Sequence, residues 1–193
     1  DQVQFAKDYA NETNFNDRLD FKIGDHHKHF DYPDESFDGS YSFQAVWPFF
    51  KVSELDHPAE EIYRVLKPGG YYACSEYLLA PEFDWNNEEH VKLHTLWMPT
   101  LAATQSNYPT DITAAFERAG FEIVKSVPSK APAWPLTDQK TDTILAFRAV
   151  IRGFVKFGLV PDWVEKMLSN LLLGGQAWAE GEKMKIGDLN WKI

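Results

Sequence analysis

EIYRVLKPGGYYACSEY, residues 61–77, is the stretch on which the fold turns. Ile62, Val65 and Leu66 follow Ala59 at helical spacing, so ELDHPAEEIYRVL, residues 54–66, reads as a helix with one apolar face. KPGG then stops it, because Pro68 cannot continue a helix and the glycines tolerate the turn that follows. YYACSEYLL, residues 71–79, is nearly continuously apolar, as expected for a central strand buried on both faces.

Outward from this unit the pattern repeats. DQVQFAKDYA begins a helix that leaves through the polar run NETNFND; LDFKIGD, residues 19–25, alternates Leu19, Phe21 and Ile23 as a short strand; PDESFDG is a turn; and SYSFQAV, residues 40–46, is a strand. Downstream, EEHVKLHTLWM looks helical, TDITAAFERAG is a helix with Thr110 or Asp111 at its start and Gly120 at its end, and FEIVKSV, residues 121–127, is another strand. The final MKIGDLNWKI adds a strand at an edge. Strands alternating with helices of this length imply an α/β fold with a mostly parallel sheet and ligands at the carboxyl ends of the strands.

Composition narrows the function classes. A net charge of -10 disfavours nucleic acid as a partner, since a phosphate backbone needs a basic face to displace its counterions. A single cysteine, Cys74, rules out an internal disulfide framework and points to a reducing, cytoplasmic setting. In mid-strand it reads as inert packing. No run of eighteen apolar residues suggests a spanning helix, and the start lacks a signal peptide's apolar core. Aromatic residues make up 15%, so many rings need a place, and Trp47, Phe49 and Phe50 sit where the strand 40–46 stops.

The order strand, Gly-Asp, turn, strand, helix, RVLKPGG, strand resembles the second half of a class I S-adenosylmethionine-dependent methyltransferase. SEYLLAPEFDWNNEEHVKLH, PAWPLTD at 132–138, FRAVIRG and LLLGGQAWAEG are similar to the sterol methyltransferase group, including its carboxyl-terminal sterol-associated region. The resemblance implies a partial Rossmann-like methyltransferase sheet with its first two strands missing, a methyltransferase core over residues 1–127 and a helical carboxyl-terminal region over 128–193. It also implies S-adenosyl-L-methionine as cofactor and a sterol as substrate. In the family a glycine-rich loop after the first strand and an acid after the second hold the methionine moiety and the ribose. Asp1 begins about where the helix after that second strand would begin, so the chain reads either as a fragment of a longer one or as a degenerate product, one expected to bind the cofactor weakly or not at all.

Family roles carry over residue by residue. Asp25 matches the acid that accepts from the adenine amino group, with His26 beside the purine, although an Asp after Gly also simply makes a turn. Gln44 and Ala45 match the strand end facing the methionine part and the substrate. Trp47, Phe49 and Phe50, with Tyr41 and Tyr77, would line an apolar cleft for a flat sterol; the alternative is that the rings after the strand are core beneath the next helix. Two positions depart from the carbon-24 enzymes of the group, which have a carboxylate at position 44 and a His at position 48. Losing that charge weakens the carbocation chemistry of side-chain alkylation, and the altered motif most resembles the nematode branch that methylates ring carbon 4. If that reaction runs through an enol or enolate of a 3-keto sterol, it needs a base, for which Glu76 is the first candidate and His26, His27 and His29 the second. Gln44 is the other residue assigned to the reacting centre. Glu76 reads equally as a structural hydrogen-bond acceptor.

No metal site is expected, because the His cluster lacks a second ligand set. His90 and His94 share a helix face that reads as solvated. Phe147, Val150, Ile151, Phe154 and Val155 form an apolar face beside a basic stripe of Arg148, Arg152 and Lys156, which suits peripheral contact of residues 144–157 with an anionic membrane such as the endoplasmic reticulum, a lid over the sterol, or plain packing on the domain. Two rival functions remain: a methyltransferase for another small acceptor such as a phosphobase, and a noncatalytic sterol-binding remnant.

Overall fold

A computed structural model describes residues 2–100, 103–128, 149–185 and 189–193. The elements run α1 (Gln2–Glu12), β1 (Phe37–Phe43), α2 (Asp56–Val65), β2 (Leu66–Leu78), α3 (Glu88–Trp97), α4 (Pro109–Ala119), β3 (Val127–Pro128), α5 (149–156), α6 (Asp162–Lys183) and β4 (Leu189–Lys192). The four strands form one open sheet in the order β1-β2-β4-β3. β1 and β2 are parallel, joined through α2, while β4 runs antiparallel to both β2 and β3. The final strand is therefore inside the sheet and not at its edge as its terminal position suggested. The domain boundary expected after residue 127 falls at the edge of residues 129–148, which lie outside the described residues.

The turn after α2 is tighter than expected. Pro68 holds Lys67 out of the helical region and, lacking an N–H, cannot bond the Arg64 carbonyl; Leu66 is already extended, so β2 begins with no intervening loop. KPGG becomes an irregularity within the β1–β2 ladder, where pairing jumps from Phe37↔Leu66 to Gly39↔Tyr71. Gly70 fits only as glycine there, since a Cβ would stand 2.9 Å from the Lys67 carbonyl oxygen and 3.0 Å from that of Asp38.

One face of the sheet carries the core. Cys74 and Leu78 of β2, Ala59 and Ile62 of α2, and Ile112, Ala115 and Phe116 of α4 close around Trp47, Phe50 and Leu55. On the other face, Tyr41, Phe43 and Tyr71 are exposed among the described residues, so β2 alternates buried and open positions instead of being buried on both faces. A second cluster, Leu79, Phe83, Leu93, Trp97 and Ala177, seats α6 against α3.

Two expected strands do not form. Residues 19–25 are irregular, with Leu19 and Ile23 exposed, because no described strand lies beside them to complete a ladder. Residues 121–126 are likewise irregular, and only Val127–Pro128 pair with β4. The loop ahead of β1 is instead pinned to α2 by charge. Arg64 donates to both Glu61 oxygens at 3.1 and 3.0 Å, to Asp34 at 2.7 Å, and to the Tyr32 and Phe30 carbonyls; Glu61 in turn accepts the Phe30 N–H at 2.7 Å. That fork holds the Glu61 carboxyl down at about 2.

Candidate functional site

β1 ends at Phe43, and the chain turns at Gln44, whose φ of 52° is a left-handed conformation that non-glycine residues adopt rarely. The bend is held from β2. Gln44 N–H donates to the Ser75 carbonyl at 2.9 Å, and Ala45 N–H faces Glu76 Oε1 at 3.5 Å. Glu76 itself is 0% exposed. Its Oε1 accepts from Ser42 Oγ at 2.7 Å, Ser42 lies 2.7 Å from the Tyr72 hydroxyl, and Trp47 Nε1–H donates to that hydroxyl at 3.2 Å. Since the indole can only donate and the carboxylate accepts, the hydroxyls order themselves: Tyr72 donates to Ser42, and Ser42 to Glu76. Burial pushes the Glu76 carboxyl up to about 7, against the pull of Ser42 and the backbone N–H groups of residues 44–46. Oε2 has no hydrogen-bond partner among the described residues.

Asp25 lies in an exposed turn. Its Oδ1 accepts the His27 N–H at 3.0 Å and its Oδ2 pairs with Lys28 at 3.3 Å, and the His27 bond is the main cause of its lowered pKa. His26 packs its ring 5.5 Å from Phe49 and 5.3 Å from Phe50, centroid to centroid, and His27 lies 4.3 Å from Phe50. Burial lowers the His26 pKa, and its Nε2 has no partner among the described residues. The Asp25–His27 turn is thereby docked on the segment that follows the Gln44–Ala45 bend. His29 is set apart, with its Nδ1 3.0 Å from Glu61.

The aromatic cleft expected after β1 is not formed by these rings. Trp47 and Phe50 are fully buried in the core, Trp47 with its ring centroid 4.8 Å from Phe116, and Phe49 is half-buried. The cause is Pro48, which closes a tight turn over Trp47–Phe49 and folds the rings back onto α4, while Asn107 clamps the turn by donating to the Trp47 and Phe50 carbonyls at 3.1 and 3.0 Å. Glu76 is likewise turned away from open solvent, and Tyr77 packs on the α3–α6 cluster. Of the residues expected to contact substrate, Tyr41 alone lines the large groove of about 1110 Å³, which runs along β2 past Phe43, Tyr71, Ala73 and Ile123. Asp25, Glu76 and the three rings do not border it.

His94 corrects another expectation: it is buried against Phe83, Trp85 and Trp97 with Nε2 2.8 Å from Ser106 Oγ, and burial lowers it to about 4. Arg152 of the basic stripe pairs with Glu165 at 2.8 Å, Ile151 is buried, and Arg148 and Phe147 lie outside the described residues. No described helix is long and apolar enough to cross a membrane. The residues that sequence reading missed are Ser42, Tyr72 and Asn107, whose roles depend on partners 25 to 60 positions away.

Comparison with known proteins fits this architecture. A methyltransferase-domain family model matches residues 1–74. A putative sarcosine dimethylglycine methyltransferase from Galdieria sulphuraria superposes with a TM-score of 0.62 at 18% identity, covering 99% of this chain and 63% of that one. Geranyl diphosphate C-methyltransferase from Streptomyces coelicolor A3(2) gives 0.63 at 14%, covering 100% and 59%. The fold is a partial class I methyltransferase fold. In sequence the chain is related to fungal sterol 24-C-methyltransferases: it is 28% identical to that of Pneumocystis carinii over 96% of its own length and 54% of the relative, and 38% identical to that of Saccharomyces cerevisiae over 48% and 23%. The chain thus spans about half the length of the first of these relatives.

Proposed function

We propose that this chain is part of an S-adenosylmethionine-dependent methyltransferase acting on carbon of a sterol, at the ring nucleus. The observation that carries the reading is the docking of the Asp25–His27 turn on Phe49 and Phe50, directly after the Gln44–Ala45 bend, with sequence similarity to sterol methyltransferases running along 96% of the chain. Residues at this edge fit one end of the cofactor. Asp25 keeps an exposed carboxylate that can accept from an adenine amino group, and His26 offers a ring beside it. Gln44 and Ala45 would border the methionine end. The bound cofactor supplies an electrophilic methyl on a sulfonium, and alignment with the acceptor carbon does most of the work.

Gln44 is neutral, which favours an uncharged or enolic acceptor over a side-chain carbocation. Glu76 acts by positioning: its carboxyl holds Ser42 and faces the backbone of the bend, so it sets where Gln44 and Ala45 stand. The imidazoles of His26 and His27 are the groups at that edge suited to take a proton from the substrate, and burial, by lowering the His26 pKa, favours its neutral form. Residues 144–157 would bring the protein to the membrane in which such a substrate resides.

The test is methyl transfer by the full-length protein from labelled cofactor to a panel holding a 3-keto sterol, a side-chain alkene sterol and a phosphobase, with cofactor binding followed by calorimetry. Labelling at ring carbon of the keto sterol is the expected result. Transfer only to the phosphobase, or only to the side chain, overturns the assignment, and sterol binding with no transfer identifies the noncatalytic alternative.

A further inference from the structure

We infer that the corner between α5 and α6 is a bilayer-contact site, at which Phe157, Leu159 and Trp163 enter the headgroup and upper acyl region of a zwitterionic membrane. The inference deepens the membrane contact proposed above and rests on that reading, but its test needs no methyl transfer, so each can fail without the other. The three side chains are 78%, 70% and 62% exposed. None of them borders the groove along β2.

Two exposed rows lead to this corner. On α5, Val150 and Phe154 lie one turn apart and Phe157 continues their row; on α6, Trp163 and Met167 lie one turn apart. Both rows run into the turn at residues 157–161. The inner side of α5 is a different one. Ile151 is buried, and Arg152 donates to Glu165 at 2.8 Å, which ties α5 to α6. That pairing engages Arg152 within the protein, so the apolar corner and not the basic stripe is what α5 offers to a surface.

The turn is built as contact with lipid requires. Away from water a backbone donor needs an acceptor within the protein. Phe157 N–H donates to the Gly153 carbonyl at 3.2 Å, Gly158 N–H to that of Val155 at 2.9 Å and Leu159 N–H to that of Phe154 at 2.9 Å. Gly158 takes the left-handed φ of 71° that this helix ending needs, and Pro161 has no N–H to satisfy. Charge sets the depth. Lys156 precedes Phe157 and Lys166 lies one turn on from Trp163, both exposed and placed for headgroup phosphates, while Asp162 in the first turn of α6 keeps the corner out of the hydrocarbon centre.

Area and charge favour a bilayer over a second copy of this chain. The three side chains offer roughly 400 Å², about half of the roughly 800 Å² per partner that a stable protein interface buries. A net charge of -10 opposes both self-association and an anionic surface. A zwitterionic bilayer needs no matching shape, and Trp beside Lys suits its interface.

The probe is sedimentation of the full-length protein with sucrose-loaded phosphatidylcholine vesicles. Phe157→Ser and Trp163→Ser are each expected to lower the bound-to-free ratio by about tenfold, and Leu173→Ser, also exposed on α6 but away from the corner, by less than about twofold. Trp163→Phe should keep binding yet lose most of the quenching that acyl-brominated lipid imposes on the parent's tryptophans. Quenching unchanged in that variant, or equal losses in all three serine variants, would mean general apolar adsorption and overturn the site. Binding that demands phosphatidylserine and survives Trp163→Ser overturns it in favour of the basic stripe. No binding to any vesicle overturns the lipid, and self-association abolished by Trp163→Ser would then assign the corner to a second copy.

Discussion

Replacing Glu76 by glutamine should change the stability of this protein in opposite directions at low and high pH. The folded-state carboxyl titrates at about 7, against 4.5 for the free side chain. Below pH 4.5 both states hold the proton and no penalty exists. Between those values the folded protein keeps a proton that the unfolded chain has lost, so stability falls as pH rises, and above pH 7 the full cost of burying the charge is present. The difference between 4.5 and about 7 corresponds to about 3 kcal/mol. Glutamine stays neutral throughout, but its amide donates where Oε2 now has no partner, a cost of about 1–3 kcal/mol. Glu76→Gln should therefore be the less stable protein near pH 4.5 and equal or more stable at pH 8, the difference moving by about 3 kcal/mol in its favour. Paired urea titrations across that range measure it, because other titrating groups cancel in the difference and an unchanged slope shows that only stability has moved. A pH-independent difference, or one moving against glutamine as pH rises, would refute the buried, proton-holding carboxyl and with it the account of how the Gln44 bend is held.

Glu61→Ala should cost about 3 kcal/mol at pH 7 by removing the forked partner of Arg64 and the acceptor of the Phe30 N–H, while Arg64 keeps Asp34. Because the Glu61 carboxyl is held down at about 2, its contribution is present above pH 4.5 and lost as pH falls through about 2; the parent should lose about 3 kcal/mol over that interval that the variant does not, read by acid unfolding. Trp47→Ala should destabilise by about 3–5 kcal/mol in denaturant unfolding and Phe49→Ala by only about 1–2, since the first ring is fully buried and the second half-buried. Equal losses would mean that the turn at Pro48 does not fold the rings inward. Gly120→Ala should cost about 1–2 kcal/mol, as a φ of 107° and the Tyr63 ring 3.0 Å from a new Cβ both oppose it; a thermal melt matching the parent would contradict that geometry.

Helix α4 was legible to within two residues at its start, expected at Thr110 or Asp111, and at its Gly120 end, because its signals are local. Pro109 opens it, the Asp111 side chain accepts the Tyr108 N–H at 3.0 Å, and Gly120 closes it in a left-handed conformation. The crossover β1–α2–β2 was legible for a related reason, since Pro68 ends the helix wherever the rest of the chain lies. LDFKIGD and FEIVKSV show the limit: alternation states which side chains would share a face, but a strand exists only where another backbone supplies its hydrogen bonds. The candidate site divides in the same way. Asp25, Gln44 and Ala45 could be named from the order of motifs, whereas the network from Trp47 through Tyr72 and Ser42 to Glu76 could not, because its members come from two strands and a turn.

The linear order of residues by itself determined the α/β class, the carboxyl ends of α2 and α4 and the polarity of the unit between them, because capping, proline sterics and helical periodicity act over a few neighbouring positions. The tertiary structure alone decided that the rings after β1 are core, that Glu76 is enclosed with its carboxyl pushed up to about 7, and that the last strand lies inside the sheet. Burial, desolvation and backbone pairing depend on what stands opposite a residue, and that is set by contacts between distant parts of the chain.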